Sequence, residues 1–165
     1  MEIEKSIDEF KIVLNVLLDY NKKIIFIKPN IDYGNAKLLK ELDKIENNNN
    51  FTIFNHINID DFSILLKNTS LLIGNSSAGI REGCVFGSPV INIGTRQQYR
   101  TNSKLINVYN LNNFSKAELL NIIDYMYNRN FKPIFGFGFK DSAERIIETI
   151  KKIDYKNTNK NLNLF

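Results

Sequence analysis

The segment with the most chemical potential is 74–82, which reads Gly-Asn-Ser-Ser-Ala-Gly-Ile-Arg-Glu. It follows a short apolar run and opens a predicted helix. Its small residues let the backbone approach an oxyanion, and the hydroxyls of Ser76 and Ser77 join the free amides of the first helical turn as donors. The helix dipole favours negative charge at the same end. These features predict a phosphate cradle, although a plain capped turn would also use Asn and Ser.

Two familiar nucleotide-binding loops do not fit the chain. Gly74 and Gly79 have the spacing of a Walker A loop, but Ile80 and Arg81 stand where that loop requires Lys and Ser or Thr. A dinucleotide fingerprint needs Gly-x-Gly-x-x-Gly, whereas the single Gly-x-Gly of this sequence, 136–138, comes late and lacks the third glycine. The cradle is therefore of another kind.

Charged residues next to the cradle have chemistry of their own. Glu82 lies one turn into the predicted helix and could accept hydrogen bonds from sugar hydroxyls, or it could be an exposed acid of the first turn. Arg96 and Arg100 follow a predicted strand and could neutralise a phosphate. A solvated loop is the alternative for the two arginines.

Apolar periodicity predicts the elements that must position these residues. Helices are predicted over 4–20, 36–46, from 60 or 61 to 66, over 78–86, from Ser115 to about 128, and over 142–153 with Asp141 as cap. Ser115 and Glu118 form a predicted capping box. Strands are predicted over 24–27, 51–54, 71–73 and 90–93, with a weaker one over 105–108. The run 24–27 is typical of a strand buried on both faces.

Alternating strands and helices predict an α/β fold, a Rossmann-like parallel sheet with helices on both faces. Ligands of such sheets bind outside the carboxyl ends of the strands. Function is therefore expected in loops 28–35, 55–59, 74–79 and 94–100. We expect one domain over 1–153 and a polar tail over 154–165.

Composition excludes several classes of protein. The 165 residues are 43% hydrophobic and include 12 Phe and 7 Tyr, which is too apolar for a disordered chain. No apolar run reaches the length of a membrane span, and the start lacks a signal peptide, so we expect a cytoplasmic protein without membrane contact. The net charge of +4 comes from scattered residues, which argues against nucleic acid and suits a small anion. The single cysteine, Cys84, excludes a disulfide framework, and we expect it to be a buried apolar side chain.

Segments 74–82 and 86–97, together with Arg100, closely resemble the UDP-N-acetylglucosamine 2-epimerase family. The resemblance is to its hydrolysing branch, which makes N-acetylmannosamine for sialic acid and related sugars. Further matches are 29–32 with Gly34, the loop around His56, and the glycine pair before the last helix. The resemblance runs from about residue 5 to 153.

The resemblance implies the second half of a two-domain, glycosyltransferase-B-like architecture, with UDP or UDP-N-acetylglucosamine in the cleft. It implies that the diphosphate is bound by Ser76, Ser77, Ala78, Gly79 and Arg96, and the ribose by Glu82. It also implies that His56 and Ile57 belong to a loop on the uracil side, and that Asn30, Asn75 and Arg100 are further contacts. A structural role for His56 is an equal alternative.

The family reaction eliminates UDP to give a glycal and then adds water, without a metal or redox cofactor. The resemblance implies that the residues for proton transfer lie on an amino-terminal half that this sequence does not include. As partner we expect either that half, as a separate chain, or further copies of this chain in a homo-oligomer. Alternatives are a non-catalytic remnant or assembly domain, and a fragment of a related glycosyltransferase. Two residues depart from the family pattern, since Tyr99 replaces a glycine and Phe137 a polar residue.

Overall fold

The computed structural model describes residues 2–29, 35–97, 100, 105–138 and 141–153. The chain divides into two compact units, Met1–Ile134 and Phe135–Phe165. Within the described residues, the first unit contains α1 (Glu2–Asp19), β1 (Ile24–Ile27), α2 (Asn35–Glu46), β2 (Phe51–Phe54), α3 (Ile59–Asn68), β3 (Leu72–Gly74), α4 (Ser77–Phe86), β4 (Val90–Ile93), β5 (Val108–Leu111) and α5 (Lys116–Met126). The second unit contains α6 (Ser142–Lys152).

All the strand pairs are parallel, as the sequence predicts, but their ladders form two sheets rather than one. Strands β1 and β2 pair with Ile24 opposite Phe51. Strands β3, β4 and β5 form the second sheet with β4 in the middle, and Val90 of β4 lies opposite Leu72 and Val108. The phosphate-cradle segment follows β3, so the three-stranded sheet positions it.

Helices cover both faces of the three-stranded sheet. All four residues of β4 are buried. Ile91 and Ile93 pack with α1 and α5 in one core cluster, whose buried members include Val16, Leu119 and Ile123. The opposite face is covered by α4, which contacts both β3 and β4. A strand in this position needs apolar residues on both faces, and the sequence of β4 supplies them.

The run 24–27 is less buried than predicted. Its side chains alternate between half-buried and exposed, and Ile25 is 48% exposed. Helices α1 and α2 pack on the other face of the β1–β2 sheet, through Leu14, Leu42 and Ile45. The prediction of burial on both faces is therefore wrong for β1, because these helices cover one face of its sheet.

The fifth strand and the last helix also differ from expectation. The predicted strand 105–108 is wrong, since β5 covers Val108–Leu111 and Leu105 packs in a separate cluster under α4. Asp141 stands at the N-cap position of α6 but forms no side-chain capping bond. The apolar stripe of α6 is exposed, at Ile146, Ile147, Ile150 and Ile153. In the part of the chain that the structure describes, no helix has the length and hydropathy of a membrane span.

Capping interactions fix the starts of α3 and α5. The N-cap of α3 is Asn58, whose side chain accepts from the Asp61 amide at 2.9 Å, so the helix begins slightly before the predicted acidic pair. The capping box predicted for α5 is confirmed. The Ser115 amide donates to Glu118 Oε2 at 2.8 Å, and the Glu118 amide donates back to Ser115 Oγ at 3.2 Å.

The capping box predicts a pH-dependent stability. Hydrogen bonds donated by the Ser115 backbone, and then by its hydroxyl, hold the pKa of Glu118 below its usual value of 4.5. Because the folded pKa is the lower one, the stabilisation is complete above the unfolded pKa and is lost as the pH falls through the folded value. We expect Glu118→Gln to lower the urea midpoint at neutral pH, and the difference from the parent to shrink below pH about 4.5. A difference that stays constant down to pH about 3 would contradict this assignment.

Candidate functional site

The site is built where α4 meets the carboxyl edge of the three-stranded sheet. Strand β3 ends at Gly74 and α4 begins at Ser77, so the turn is only two residues long. Gly79 and Gly83 face the sheet, and a Cβ on either would come within 3.2 Å of a Val90 methyl. These two glycines therefore bring α4 close to the strands and place its first turn directly above the sheet edge.

Ser76 and Ser77 have different roles in this turn. Ser76 is the N-cap, since its Oγ accepts from the Ala78 amide at 3.3 Å and its carbonyl accepts from the Gly79 amide at 3.2 Å. Ser77 is the first helical residue, whose amide has no acceptor inside a helix, and its side chain is half-buried. The hydroxyl and amide of Ser77 are thus the donors that the cap leaves over for an anion.

Glu82 carries the clearest sign of a missing partner. Its Oε2 is buried and has no hydrogen-bond partner among the described residues. A buried carboxylate oxygen without a donor is costly, so such an atom calls for a ligand or water that donates to it. Glu82 lies five residues after Ser77 on the same helix. The same short helix therefore offers donors at its start and, about one and a half turns later, an acceptor that no described residue satisfies.

The loop after β4 is tied to the loop after β3. Gln97 is 1% exposed, and its Nε2 donates to the Asn75 carbonyl at 3.1 Å. The carbonyl of Gln97 in turn accepts from the Arg100 amide at 2.9 Å. The side chains of Arg96 and Arg100 are exposed, which fits both the anion-binding pair and the solvated loop that the sequence left open. Gln97 is not among the site residues predicted from sequence, because a single polar residue after a strand gives no periodic signal.

Glu9 is a second buried residue that the sequence did not single out, and it contacts the loops at the same edge of the sheet. Glu9 of α1 is 6% exposed, and its Oε1 accepts from the Asn113 amide at 3.1 Å. Its Oε2 lies 2.9 Å from the position of a Cβ built on Gly94, which has a φ of +75°. Glu9 therefore fills the space under the turns that follow β4 and β5.

His56 and Ile57 line a cavity of about 350 Å³ beside α3. Its walls are mostly apolar, and its lining residues are Ile25, Phe54, His56, Ile57, Asn58, Asp61, Ile64 and Leu65. Apolar walls with a few polar groups are typical of small-molecule sites, and they suit the face of a planar base. Helix α3 also packs against α4, so the cavity and the cradle lie on neighbouring helices.

The remaining predicted residues fall into three groups. Asn30 and Tyr99 lie outside the described residues. Phe137 is described but belongs to the second unit, where it is 45% exposed. Cys84 is fully buried, as expected, and its thiol lies 3.0 Å from the Arg81 carbonyl.

Comparison with known proteins places this chain in a family. The family model described as UDP-N-acetylglucosamine 2-epimerase matches residues 2–151. A UDP-N-acetylglucosamine 2-epimerase of Neisseria meningitidis serogroup B is 44% identical over 85 residues, which is 52% of this chain and 22% of the relative. A UDP-N,N'-diacetylbacillosamine 2-epimerase (hydrolyzing) of Legionella pneumophila is 27% identical over 152 residues, 92% of this chain and 40% of the relative. The chain thus spans less than half the length of these curated relatives.

Solved structures show the same fold. The UDP-GlcNAc 2-epimerase of Methanocaldococcus jannaschii, in a crystal structure with UDP-GlcNAc and UDP, superposes with a TM-score of 0.70 at 21% identity. The match covers 91% of this chain and 42% of that one. This confirms the Rossmann-like α/β fold of the glycosyltransferase-B kind. Because the family model covers nearly the whole chain, the protein belongs to the UDP-N-acetylglucosamine 2-epimerase family.

Proposed function

We propose that this chain is the UDP-binding half of a hydrolysing UDP-N-acetylglucosamine 2-epimerase. The observation that carries the proposal is the buried Oε2 of Glu82, which has no hydrogen-bond partner among the described residues and lies on α4 beyond its N-terminal turn. A nucleoside diphosphate matches this arrangement, because its phosphates need donors and its neighbouring ribose hydroxyls can donate to a carboxylate. In this assignment Ser77 donates its amide and hydroxyl to the diphosphate, Ser76, Ala78 and Gly79 form the capped turn around it, and Glu82 holds the ribose.

The second loop and the cavity complete the proposed nucleotide site. Arg96 is exposed beside the cradle loop and adds positive charge to the diphosphate position, with Arg100 and Asn75 as further contacts. The cavity lined by His56 and Ile57 receives the uracil. In this assignment His56 contacts the base and takes no part in proton transfer.

The reaction we propose needs more residues than this site supplies. Elimination of UDP requires a base at the sugar, and hydration of the glycal requires an activated water. The nucleotide-facing groups described above bind and orient the substrate, so we assign the proton transfers to an amino-terminal half outside these residues. The hydrolysing branch is favoured by the Arg-Gln segment 96–97 and by the Legionella pneumophila relative, whose name specifies hydrolysis. No metal or redox cofactor enters this scheme.

A calorimetric titration of UDP into the 165-residue chain tests the proposal, with AMP as the control nucleotide. We expect UDP to bind with micromolar to low millimolar affinity and AMP to bind much more weakly. No heat from a folded chain would overturn the proposal and favour a non-catalytic remnant of the family. Equal binding of UDP and AMP would mean that the site holds phosphates without selecting uridine.

Replacement of Ser77 separates anion binding from helix capping. We expect Ser77→Ala to weaken UDP binding by about 1–3 kcal/mol, because a hydrogen bond to a charged phosphate is lost. Thermal stability should not change, since the cap belongs to Ser76. Ser76→Ala, in contrast, should also destabilise the fold by about 1 kcal/mol through loss of the cap.

The matched control is Ser63→Ala, which removes a helical serine hydroxyl bonded to the Ile59 carbonyl on α3. UDP affinity should be the same as in the parent. Binding of UDP to Ser77→Ala as tight as to Ser63→Ala would exclude Ser77 from the diphosphate site.

A further inference from the structure

Gln97 joins the two loops that the proposed function assigns to the diphosphate. Its Nε2 donates to the carbonyl of Asn75, the residue just before the N-cap of α4, across 22 residues of sequence. The Gln97 side chain is 1% exposed, and the hydrogen bond itself is partly buried. Water competes less with a partly buried hydrogen bond than with one at the surface.

The hydrogen bond from Gln97 to the Asn75 carbonyl restrains backbone and not a ligand. Asn75 and Arg96 have exposed side chains, so burial in the core does not hold either side chain in place. By holding the Asn75 carbonyl, Gln97 fixes the direction in which the next amides point, and it fixes Arg96 as its own neighbour. Anion sites of this kind depend on geometry held to about 0.5 Å by supporting residues.

Gln97 also retains an unpartnered atom. Its Oε1 is buried without a hydrogen-bond partner among the described residues. A side chain kept only for packing would avoid this cost by being apolar. The structure offers a direct comparison, because Asn107 is a second buried amide of the same design. Its Nδ2 donates to the Ser88 carbonyl at 2.9 Å, and its Oδ1 is also unpartnered within the described part of the chain.

The two amides differ in their position along β4. Asn107 lies at the amino end of the strand, where its carbonyl accepts from the Val90 amide. Gln97 lies beyond the carboxyl end, on the side of the cradle. Asn107 is therefore a control with the same chemistry and a similarly buried side chain, bonded at the end of β4 opposite the cradle.

We infer that Gln97 is the positioning residue that sets the cradle loop against the Arg96 loop for diphosphate binding, an inference that rests on the proposed function. Gln97 touches neither phosphate nor sugar in this role. It orders the two loops before the ligand binds, so less conformational entropy is lost on binding.

Titrations of UDP and uridine, followed by NMR, test the inference on the full chain and on Gln97→Met. Methionine keeps the length and volume of the side chain but cannot donate to Asn75. We expect UDP affinity to fall about 3-fold to 10-fold, the usual effect of losing a neutral hydrogen bond, whereas uridine affinity stays within about 2-fold. Amide hydrogen exchange at residues 75–77 should become faster in the absence of ligand. Gln97→Asn, which keeps the amide but is one methylene shorter, should show the same loss and serves if the methionine variant does not fold.

Asn107→Leu is the matched control, and we expect it to bind UDP as the parent does. Unchanged UDP affinity in both Gln97 variants would overturn the inference. So would a parallel loss of UDP and uridine binding, or an equal loss in Asn107→Leu, because either result would indicate a general structural role. If the parent itself does not bind UDP, the proposed function fails. Faster amide exchange at 75–77 in Gln97→Met would then still show that Gln97 orders the loop, but not that the order serves diphosphate binding.

Discussion

Gly87→Ala should destabilise the fold by about 3–5 kcal/mol, close to the limit that a single substitution reaches. Gly87 ends α4 in the left-handed region at a φ of +67°, and its amide donates to the carbonyls of Cys84 and Gly83. A Cβ there would overlap the carbonyl oxygen of Phe131 and would lie 3.0 Å from its carbonyl carbon. Backbone cannot move aside as a side chain can, so the clash adds to the conformational cost. Urea unfolding of the variant and the parent measures the difference.

Gly74→Ala is the control for this prediction. No atom lies within 4 Å of a Cβ built at Gly74, and its φ is not in the left-handed region. We expect a change of less than about 0.5 kcal/mol, as for other open surface positions. Equal urea midpoints for the two variants would show that segment 131–132 does not enclose Gly87 in solution.

The same residue illustrates which parts of the fold are predictable. The end of α4 follows from Gly87, Ser88 and Pro89, because a left-handed cap and a proline both stop a helix locally. The start of α5 follows from its Ser115 cap for the same reason. Strand β4 is predictable too, since four consecutive apolar or amide residues between two turn signals favour a short buried strand. Local rules suffice wherever the interaction partners are near in sequence.

The errors come from partners distant in sequence. The position of β5 depends on pairing with β4, in which Val90 lies opposite Val108, and apolar content alone favoured the earlier segment at Leu105. The exposure of Ile25 depends on which helices cover the β1–β2 sheet. Neither Glu9 nor Gln97 follows any periodic pattern, yet each is buried and bonded to a distant loop.

The site shows the same division. The strand–turn–helix arrangement of segment 74–82 could be predicted, because an apolar run, small N-capping residues and a helical pattern follow one another in sequence. The serine that caps α4 could not be predicted, because Ser76 and Ser77 are both good N-cap residues and only the backbone angles of Ser76 decide between them. The unsatisfied state of Glu82 was also beyond prediction, because it depends on what surrounds the carboxylate in space.

Glu82→Leu should weaken UDP binding by about 1–3 kcal/mol while leaving the free energy of unfolding unchanged or slightly higher. The carboxylate has a buried oxygen without a partner among the described residues, so an apolar side chain of similar size removes a cost from the unliganded protein. The same substitution removes the acceptor proposed for the ribose hydroxyls. Opposite signs for binding and stability are typical of residues kept for function. Calorimetry with UDP and thermal unfolding of the two proteins provide both numbers.

Deoxynucleotides identify the atoms that Glu82 recognises. If the carboxylate accepts from ribose, the parent should bind UDP more tightly than its 2'-deoxy or 3'-deoxy analogue, by about 10-fold for a single lost hydrogen bond. Glu82→Leu should bind all three nucleotides equally, because the acceptor that distinguishes them is absent. If Glu82→Leu still bound UDP more tightly than the deoxy analogues, ribose recognition would belong to another residue. The buried oxygen of Glu82 would then accept from water and not from the ribose. Lost stability in the variant, in contrast, would show that the carboxylate already has a partner in the folded chain, whereas Oε2 has none among the residues that the structure describes.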